Sequence, residues 1–483
     1  MPSGTLTYLI VDMTVNSYDN LIVIPLLTIL TLNMQIFPLT PLILKSQMMR
    51  QEKQNGPYLA ARTIRYAILI SGSCWLSAES IESQQHRYDR DYPEIGYSSK
   101  IPTDKVNELN QLLRTDREIL VFESQNGYLR SLLEKLQIPV NSQALVFSRT
   151  SINARLITAR TPRAIYFSDD TYVGWVQGSE SLEIAATDPD LGIVFYTLGQ
   201  KKTENPEIKR QNFLCLECHD TYGLTGGGVP RLLMGSGTTD EYGRPASHEG
   251  WTLTDHRTPL AQRWGGWYVT GSHDNQEHLG NLIVTASGST NLEKGNIDKV
   301  ETLTGLIADD LHLVETSDIV ALLLLEHQIH IQNLLIRLQW EASNNSNSEI
   351  LDEKILLASE KLLEGMFLVD EAQIMGPLKG NPEFQREFEN KGPYDRDLRS
   401  LRQLDLNTRL FRYPFSYMVY SESFEALPRN IKHHLFDRIW EVLRGRDRSK
   451  SFEHLSSLDR GAILEILRNT KTDFRNWQKA RVK

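Results

Sequence analysis

The sequence predicts an α+β protein in which a small antiparallel β-rich part is followed by a loop-rich region and a C-terminal helical bundle. Between residues 143 and 200, short runs rich in β-branched and aromatic residues alternate with turn residues, which is typical of antiparallel strands. Residues 223–281 contain Gly-rich stretches that do not sustain a helix. From residue 315 onward, apolar residues recur at helical spacing.

Charge and composition exclude some classes of partner. The 483 residues carry 52 basic and 61 acidic side chains, a net charge of −9, so no basic field for nucleic acid is present. The hydrophobic content of 40% is ordinary for a globular chain. We therefore expect no nucleic-acid partner.

The first 78 residues have the features of a leader. Arg62 and Arg65 precede an apolar stretch at 66–76, and the small residues Ser77 and Ala78 follow it. This is the order of a secretory signal, and a start at Met48 or Met49 would give it a normal length. We expect a signal peptide over about 48–78.

Residues 1–47 are expected to be either an upstream extension of the reading frame or a membrane anchor. The apolar stretch 21–44 is long enough to span a membrane, although three prolines weaken it as a helix. Cys74 would suit a lipoprotein, but Ser71 stands where a branched aliphatic residue is usual. We expect an exported protein, periplasmic or anchored facing the periplasm.

A helical and β-containing part, 79–200, is expected next. Helical periodicity predicts a helix over 105–113, with Thr103 as its N-cap, and a second helix over 128–136. Strands are predicted at 144–147, 164–167, 171–176, 182–185 and 193–197.

The motif that carries chemistry is Cys215-Leu216-Glu217-Cys218-His219. Two thiols at this spacing reach the two vinyl groups of one haem, and the adjacent His then ligates the iron. A zinc site would need a second ligand pair, and the only other cysteine is Cys74. A redox dithiol would open a helix after a βα unit, whereas this motif follows a polar run. We expect Cys215 and Cys218 to bind one haem c covalently, with His219 on its iron.

The second axial ligand of the iron stays open on sequence grounds. The loop-rich segment after the motif combines histidines, arginines and aromatic residues, which suit the faces and propionates of a porphyrin. A thioether ligand raises the reduction potential of such a centre. The candidates for this position are Met234, His256, His273, His278 and His327.

The C-terminal region, 311–483, is expected to be helical. Ser317 and Asp318 resemble a cap for a long apolar helix over 319–340, whose polar residues disfavour a transmembrane placement. Further helices are predicted over 349–375, 398–410, 429–444 and 457–470, the last with a capping box.

Several stretches together carry a resemblance to a known family. From about residue 90 onward the chain resembles a family of exported bacterial proteins known as cytochrome c domain-containing proteins. The resemblance implies haem binding and electron transfer through region 201–310, and no known substrate. The matching stretches are 142–148, 161–167, 172–176, 215–219, 255–259, 263–271, 317–322, 325–328 and 412–417.

The function expected is therefore electron transfer to a partner protein by a c-type cytochrome of the bacterial cell envelope. One alternative is a haem oxidoreductase of peroxidase type, in which His273 or His278 would act with Arg263 or Arg257. Another is a non-catalytic haem sensor or scaffold.

Overall fold

The computed structural model has a six-stranded antiparallel sheet and about ten helices, which confirms the predicted α+β class. The leader over 1–78, with Cys74, lies outside the described residues. The structure describes residues 90–91, 95–115, 117–221, 229–246, 250–284, 299–308, 311–343 and 351–482.

The sheet is an antiparallel meander in which each strand pairs with the next one along the chain. All five predicted strands are present, and a sixth follows within what the sequence shows as a polar run. That strand was missed because only its first residue, Ile208, is buried. The strands are β1 (Ala144–Val146), β2 (Arg163–Phe167), β3 (Thr171–Trp175), β4 (Ser181–Asp188), β5 (Gly192–Gly199) and β6 (Ile208–Arg210).

Shorter strand pairs and helices complete the described part. Two-stranded ladders join β7 (Gly235–Ser236) to β8 (Thr252–Leu253) and β9 (Gly271–Ser272) to β10 (Lys299–Val300). The helices are α1 (Lys105–Arg114), α2 (Leu129–Lys135), α3 (Leu216–His219), α4 (Ile319–Ser343), α5 (Glu353–Met366), α6 (Pro382–Asn390), α7 (Glu422–Glu425), α8 (Arg429–Leu443), α9 (Ser457–Thr470) and α10 (Thr472–Val482).

Helix α1 begins at Lys105, as predicted, but its N-cap is a different residue from the one predicted. The N-cap is Asp104, whose carboxylate accepts hydrogen bonds from the backbone N–H groups of Val106 and Asn107. The predicted cap, Thr103, instead donates its backbone N–H to Asp188, with an N···O distance of 2.6 Å. The prediction of Thr103 was wrong because a carboxylate next to it accepts both helical donors at once.

Helix α4 is buried along most of its length and lies against the sheet. The amide of Gln328 donates to the hydroxyl of Tyr172 at 2.7 Å, and the Trp340 indole donates to the carbonyl of Leu191 at 3.2 Å. Its carboxylate cap, Asp318, was predicted correctly. The helix is long and apolar enough to cross a membrane, but 83% of its most apolar window is buried inside the protein, as in a core helix.

The rest of the helical region departs from the predicted pattern at several places. The helix predicted over 349–375 is shorter, Glu353–Met366. No helix forms over 398–410, where Asp395 and Asp405 accept backbone hydrogen bonds and Leu398 and Leu406 have positive φ. The sequence did not predict α6, which lies between the predicted helices 349–375 and 398–410, nor α7 and α10. The predicted capping box of α9, by contrast, is confirmed.

The described residues, from 90 onward, belong to one compact unit. Its hydrophobic core is a single cluster with members from each of the three predicted regions, for example Val194, Met234 and Leu335. The loop-rich region therefore contacts both the sheet, where the backbone N–H of Tyr268 donates to the carbonyl of Leu145, and α4, where Leu232 is bound to Asn333.

Candidate functional site

The Cys-Leu-Glu-Cys-His motif forms one helical turn. The backbone N–H of His219 donates to the carbonyl of Cys215 at 3.1 Å, and that of Cys218 donates to the same carbonyl at 3.3 Å. Both cysteines are free thiols; Cys215 is half-buried and Cys218 is exposed. Side chains three positions apart on a helical turn lie on the same side, so one ligand can reach both thiols.

In the folded protein the Cys215 thiol is held in its protonated form. Burial, followed by the charges of Glu183 and Cys218, raises the pKa of Cys215 to about 12. A redox-active or catalytic cysteine needs a lowered pKa, because the thiolate is the reactive form. This environment disfavours the dithiol interpretation of the motif.

The imidazole of His219 is held in one tautomer. Its Nδ1 lies 2.6 Å from the carbonyl oxygen of Arg231, and a carbonyl only accepts, so Nδ1 carries the proton. Burial lowers the pKa of His219, so the ring is neutral near pH 7 and Nε2 carries a lone pair. A metal-binding histidine commonly has this arrangement, with the second nitrogen donating to a backbone carbonyl.

Strands β4 and β5 of the sheet lie next to this helical turn. The ring of Phe195, on β5, packs on that of His219 with centroids 4.5 Å apart. Glu183, on β4, forms an ion pair with Arg163 at 2.9 Å and contributes to the pKa of both Cys215 and His219. Thus two strands of the sheet position the motif.

The segment that carries the Arg231 carbonyl is anchored to α4. The side chain of Asn333 accepts from the backbone N–H of Leu232 at 3.0 Å and donates to its carbonyl at 2.8 Å. Met234, a candidate axial ligand, is 2% exposed in the same segment, and its carbonyl accepts from the N–H of Thr254.

Two other candidate ligands, His256 and His327, meet in the core. Their Nδ1 atoms lie 3.2 Å apart, and Nε2 of His327 lies 2.8 Å from the hydroxyl of Ser416. Burial lowers the pKa of His327 to about 3 and that of His256 well below its usual value. Since both ring nitrogens of His327 already have partners, it is in the environment of a hydrogen-bonding core histidine.

The remaining candidates, His273 and His278, form a second pair, in which His273 is buried and His278 is partly buried. Their ring centroids are 4.6 Å apart, and His278 also packs edge-on against Trp264 at 5.5 Å. Burial and the neighbouring His273 lower the pKa of His278 to about 4. The five candidates thus occupy three environments, and which of them is the axial ligand stays a prediction.

The arginines of this region are engaged in ion pairs. Arg263 donates to Glu326 at 2.9 Å, and both side chains are almost fully buried. Arg257 donates to Asp255 at 2.6 Å, and His330 lies 3.4 Å from the same carboxylate. Their positive charges are therefore largely balanced within the protein.

Within the described ranges, no group of three or more His, Cys, Asp and Glu side chains is arranged to hold a bare metal ion. Comparison of the chain with protein-family models, with curated proteins and with solved structures finds no match. The chemistry of the site must therefore be argued from its own residues.

The sequence indicates the two thiols and the imidazole, but it does not indicate the two groups that hold the imidazole, the carbonyl of Arg231 and the ring of Phe195. The carbonyl of Arg231 is a backbone group, so its residue type gives no signal. Phe195 reads as an ordinary strand residue until the pairing of β5 places it under His219.

Proposed function

We propose that this protein is a c-type haem protein that transfers electrons in the bacterial cell envelope. Cys215 and Cys218 would hold one haem through thioether bonds, and Nε2 of His219 would be its proximal iron ligand. A haem bound there supplies a one-electron iron centre. The observation that carries the proposal is the hydrogen bond from Nδ1 of His219 to the Arg231 carbonyl, beside two free thiols.

The surroundings of the motif suit this group. Phe213 and Leu214, directly before Cys215, are 69% and 45% exposed, so apolar surface is present where an apolar macrocycle needs contacts. Arg231 also donates its backbone N–H to the carbonyl of His219 at 2.9 Å. The imidazole is therefore fixed from both its ring and its main chain before any ligand binds, which favours a rigid iron centre.

The described contacts favour electron transfer over a peroxidase-type reaction. That reaction needs a cationic side chain free to stabilise developing negative charge next to an acid–base histidine. Arg263 is bound to Glu326 and Arg257 to Asp255, so both arginines considered for this role are already paired.

The test is covalent haem retention in paired variants. The wild-type chain, expressed in a bacterium that matures c-type cytochromes, is expected to keep its haem through acid–acetone extraction. Cys215→Ser with Cys218→Ser should lose all of it, whereas Cys74→Ser, in the predicted leader, should retain it. Extractable haem in the wild type, or retention in the double variant, would overturn the proposal.

A visible spectrum tests the type of reaction. If the protein is an electron carrier, carbon monoxide should leave the spectrum of the reduced haem unchanged, because both axial positions are filled. A carbon monoxide complex would argue for the oxidoreductase or sensor class instead.

A further inference from the structure

A cavity of about 450 Å³ lies between α4, α5 and the segment that carries Arg231. This volume is within the range of small-molecule sites, roughly 300–1,000 Å³. Its wall includes Arg231, Met234, His330, Lys361 and Glu364. The cavity therefore adjoins the residue whose carbonyl holds His219.

Most polar groups of the wall have partners within the protein. Asp255 binds Arg257 and lies beside His330, and Asn333 is bound to the backbone of Leu232. Glu364 accepts from the hydroxyl of Ser451 at 3.3 Å. These groups form the frame of the cavity and do not need a ligand.

Arg231 differs from them. Its Nε is buried without a hydrogen-bond partner, and its guanidinium has no ion pair in the part of the chain that the structure describes. Burial and the nearby charge of Arg337 lower the pKa of Arg231 to about 10, so the group stays charged at neutral pH. A partly buried cation without an anion is unfavourable, and an anionic ligand would relieve that cost.

We infer that this cavity binds a small organic acid, whose carboxylate is held by the guanidinium of Arg231. The planar guanidinium matches a carboxylate with two parallel hydrogen bonds. Glu364 and Asp370 also line the cavity, so a multiply charged anion such as phosphate would meet repulsion. A hydroxy acid suits the cavity, because its carboxylate can bind Arg231 and its hydroxyl can donate a hydrogen bond to Glu364 or Asp370.

This site goes beyond the proposed function, since binding of the acid does not itself require haem. Arg231 contributes its carbonyl to His219 and lines the cavity. If haem is present, a single residue therefore connects the acid to the proximal histidine. The carboxylate has two possible sources, a free acid or a propionate of the haem.

The experiment is calorimetric titration of the full chain with L-lactate, which should bind, and with the doubly charged succinate, which should bind more weakly because Glu364 and Asp370 line the cavity. Arg231→Gln should weaken binding at least about tenfold, because a charge-assisted hydrogen bond is lost, and Arg231→Lys should weaken it less. Lactamide, which keeps the shape of lactate without the charge, should not bind. Arg244→Gln is the matched control, since Arg244 is a surface arginine paired with Asp240.

Two further measurements make the test decisive. Arg231→Gln should not lower the melting temperature, because the side chain removed has no partner in the described structure. If no added acid binds but Arg231→Gln shifts the pH at which the reduction potential changes with propionate ionisation, the carboxylate is a propionate. The inference is overturned if neither effect occurs, or if lactamide or the Gln variant binds as the wild type binds lactate. Haem retention in the cysteine variants is measured separately, so a failure of the acid-binding proposal can be distinguished from a failure of the haem proposal.

Discussion

At the scale of single residues, His219 shows what a sequence can and cannot reveal. The pentapeptide is recognisable because thioether attachment requires two thiols at fixed spacing and a neighbouring imidazole. Its hydrogen-bond acceptor, the carbonyl of Arg231, is invisible in the sequence because every residue has a carbonyl. Chain topology alone brings that carbonyl within 2.6 Å, so the tautomer could only be learned from the structure.

The candidate histidines of the loop-rich region and α4 show the same limit. His256, His273, His278 and His327 were selected as candidate ligands because histidines crowd this part of the sequence. The structure groups them in two pairs, each with its own neighbours. A histidine packed against another ring and a histidine on a metal have the same sequence signature, which is why composition could not separate them.

Glu371 allows a residue-scale prediction about pH. Burial raises the pKa of its carboxyl to about 7, while one oxygen accepts from the backbone N–H of Leu410 at 2.9 Å. Because the folded pKa is above the unfolded value, this group's contribution is fully present below about pH 4.5 and is lost as the pH rises through 7. Glu371→Gln, which keeps the acceptor, should therefore gain stability relative to the wild type by about 2 kcal/mol between pH 4.5 and 8, allowing for partial exposure.

The measurement is urea unfolding of both proteins at several pH values. The difference in the free energy of unfolding between Glu371→Gln and the wild type should grow steadily across this range. A difference that is constant with pH would mean that Glu371 titrates as an exposed carboxyl does.

At the scale of elements, the sequence predicts a feature correctly when all the residues that form it lie within a few positions of one another. The capping box of α9 needs only Ser456 and Asp459, and both hydrogen bonds are present. The stretch 398–410 has an apolar pattern that suits a helix, but Asp395 and Asp405 each accept from two backbone N–H groups that follow them and turn the chain instead. Side-chain competition for backbone donors decides such cases, and periodicity does not record it.

Asp318 joins two elements and gives the second prediction. Its carboxylate accepts from Val320 and Ala321 at the start of α4, and also from the backbone N–H of Asn381, the N-cap of α6. Asp318→Ala would leave these three donors without their acceptor at a site 2% exposed, so unfolding free energy should fall by about 3 kcal/mol.

Ser456→Ala is the matched control for this prediction, because it removes a cap that is open to water. Its expected cost is about 1 kcal/mol, since water can replace the lost acceptor. Both values come from chemical denaturation at one pH. Equal losses in the two variants would show that Asp318 acts as an ordinary cap and does not couple α4 to α6.

At the scale of the whole molecule, α4 explains why the fold class was predictable and the way its parts pack was not. An unbroken apolar run predicts a buried helix, but it does not say what buries it. In the structure, one side of α4 meets the sheet, where Ile336 lies against Gly192, and another meets α5, where Leu334 lies against Gly365. The helix is shared by the β-rich and helical parts.

This sharing predicts that residues 311–483 do not fold alone. Without the sheet, α4 would expose Ile336 and Trp340, and Gln328 would lose its bond to Tyr172. Each large apolar side chain contributes roughly 1.5–3 kcal/mol when buried, and the total stability of a domain is only about 5–15 kcal/mol. The fragment 311–483 should therefore show no cooperative thermal transition by circular dichroism, whereas the fragment 79–483 should show one. A sharp transition in the shorter fragment would establish the C-terminal region as an independent domain, with α4 belonging to it alone.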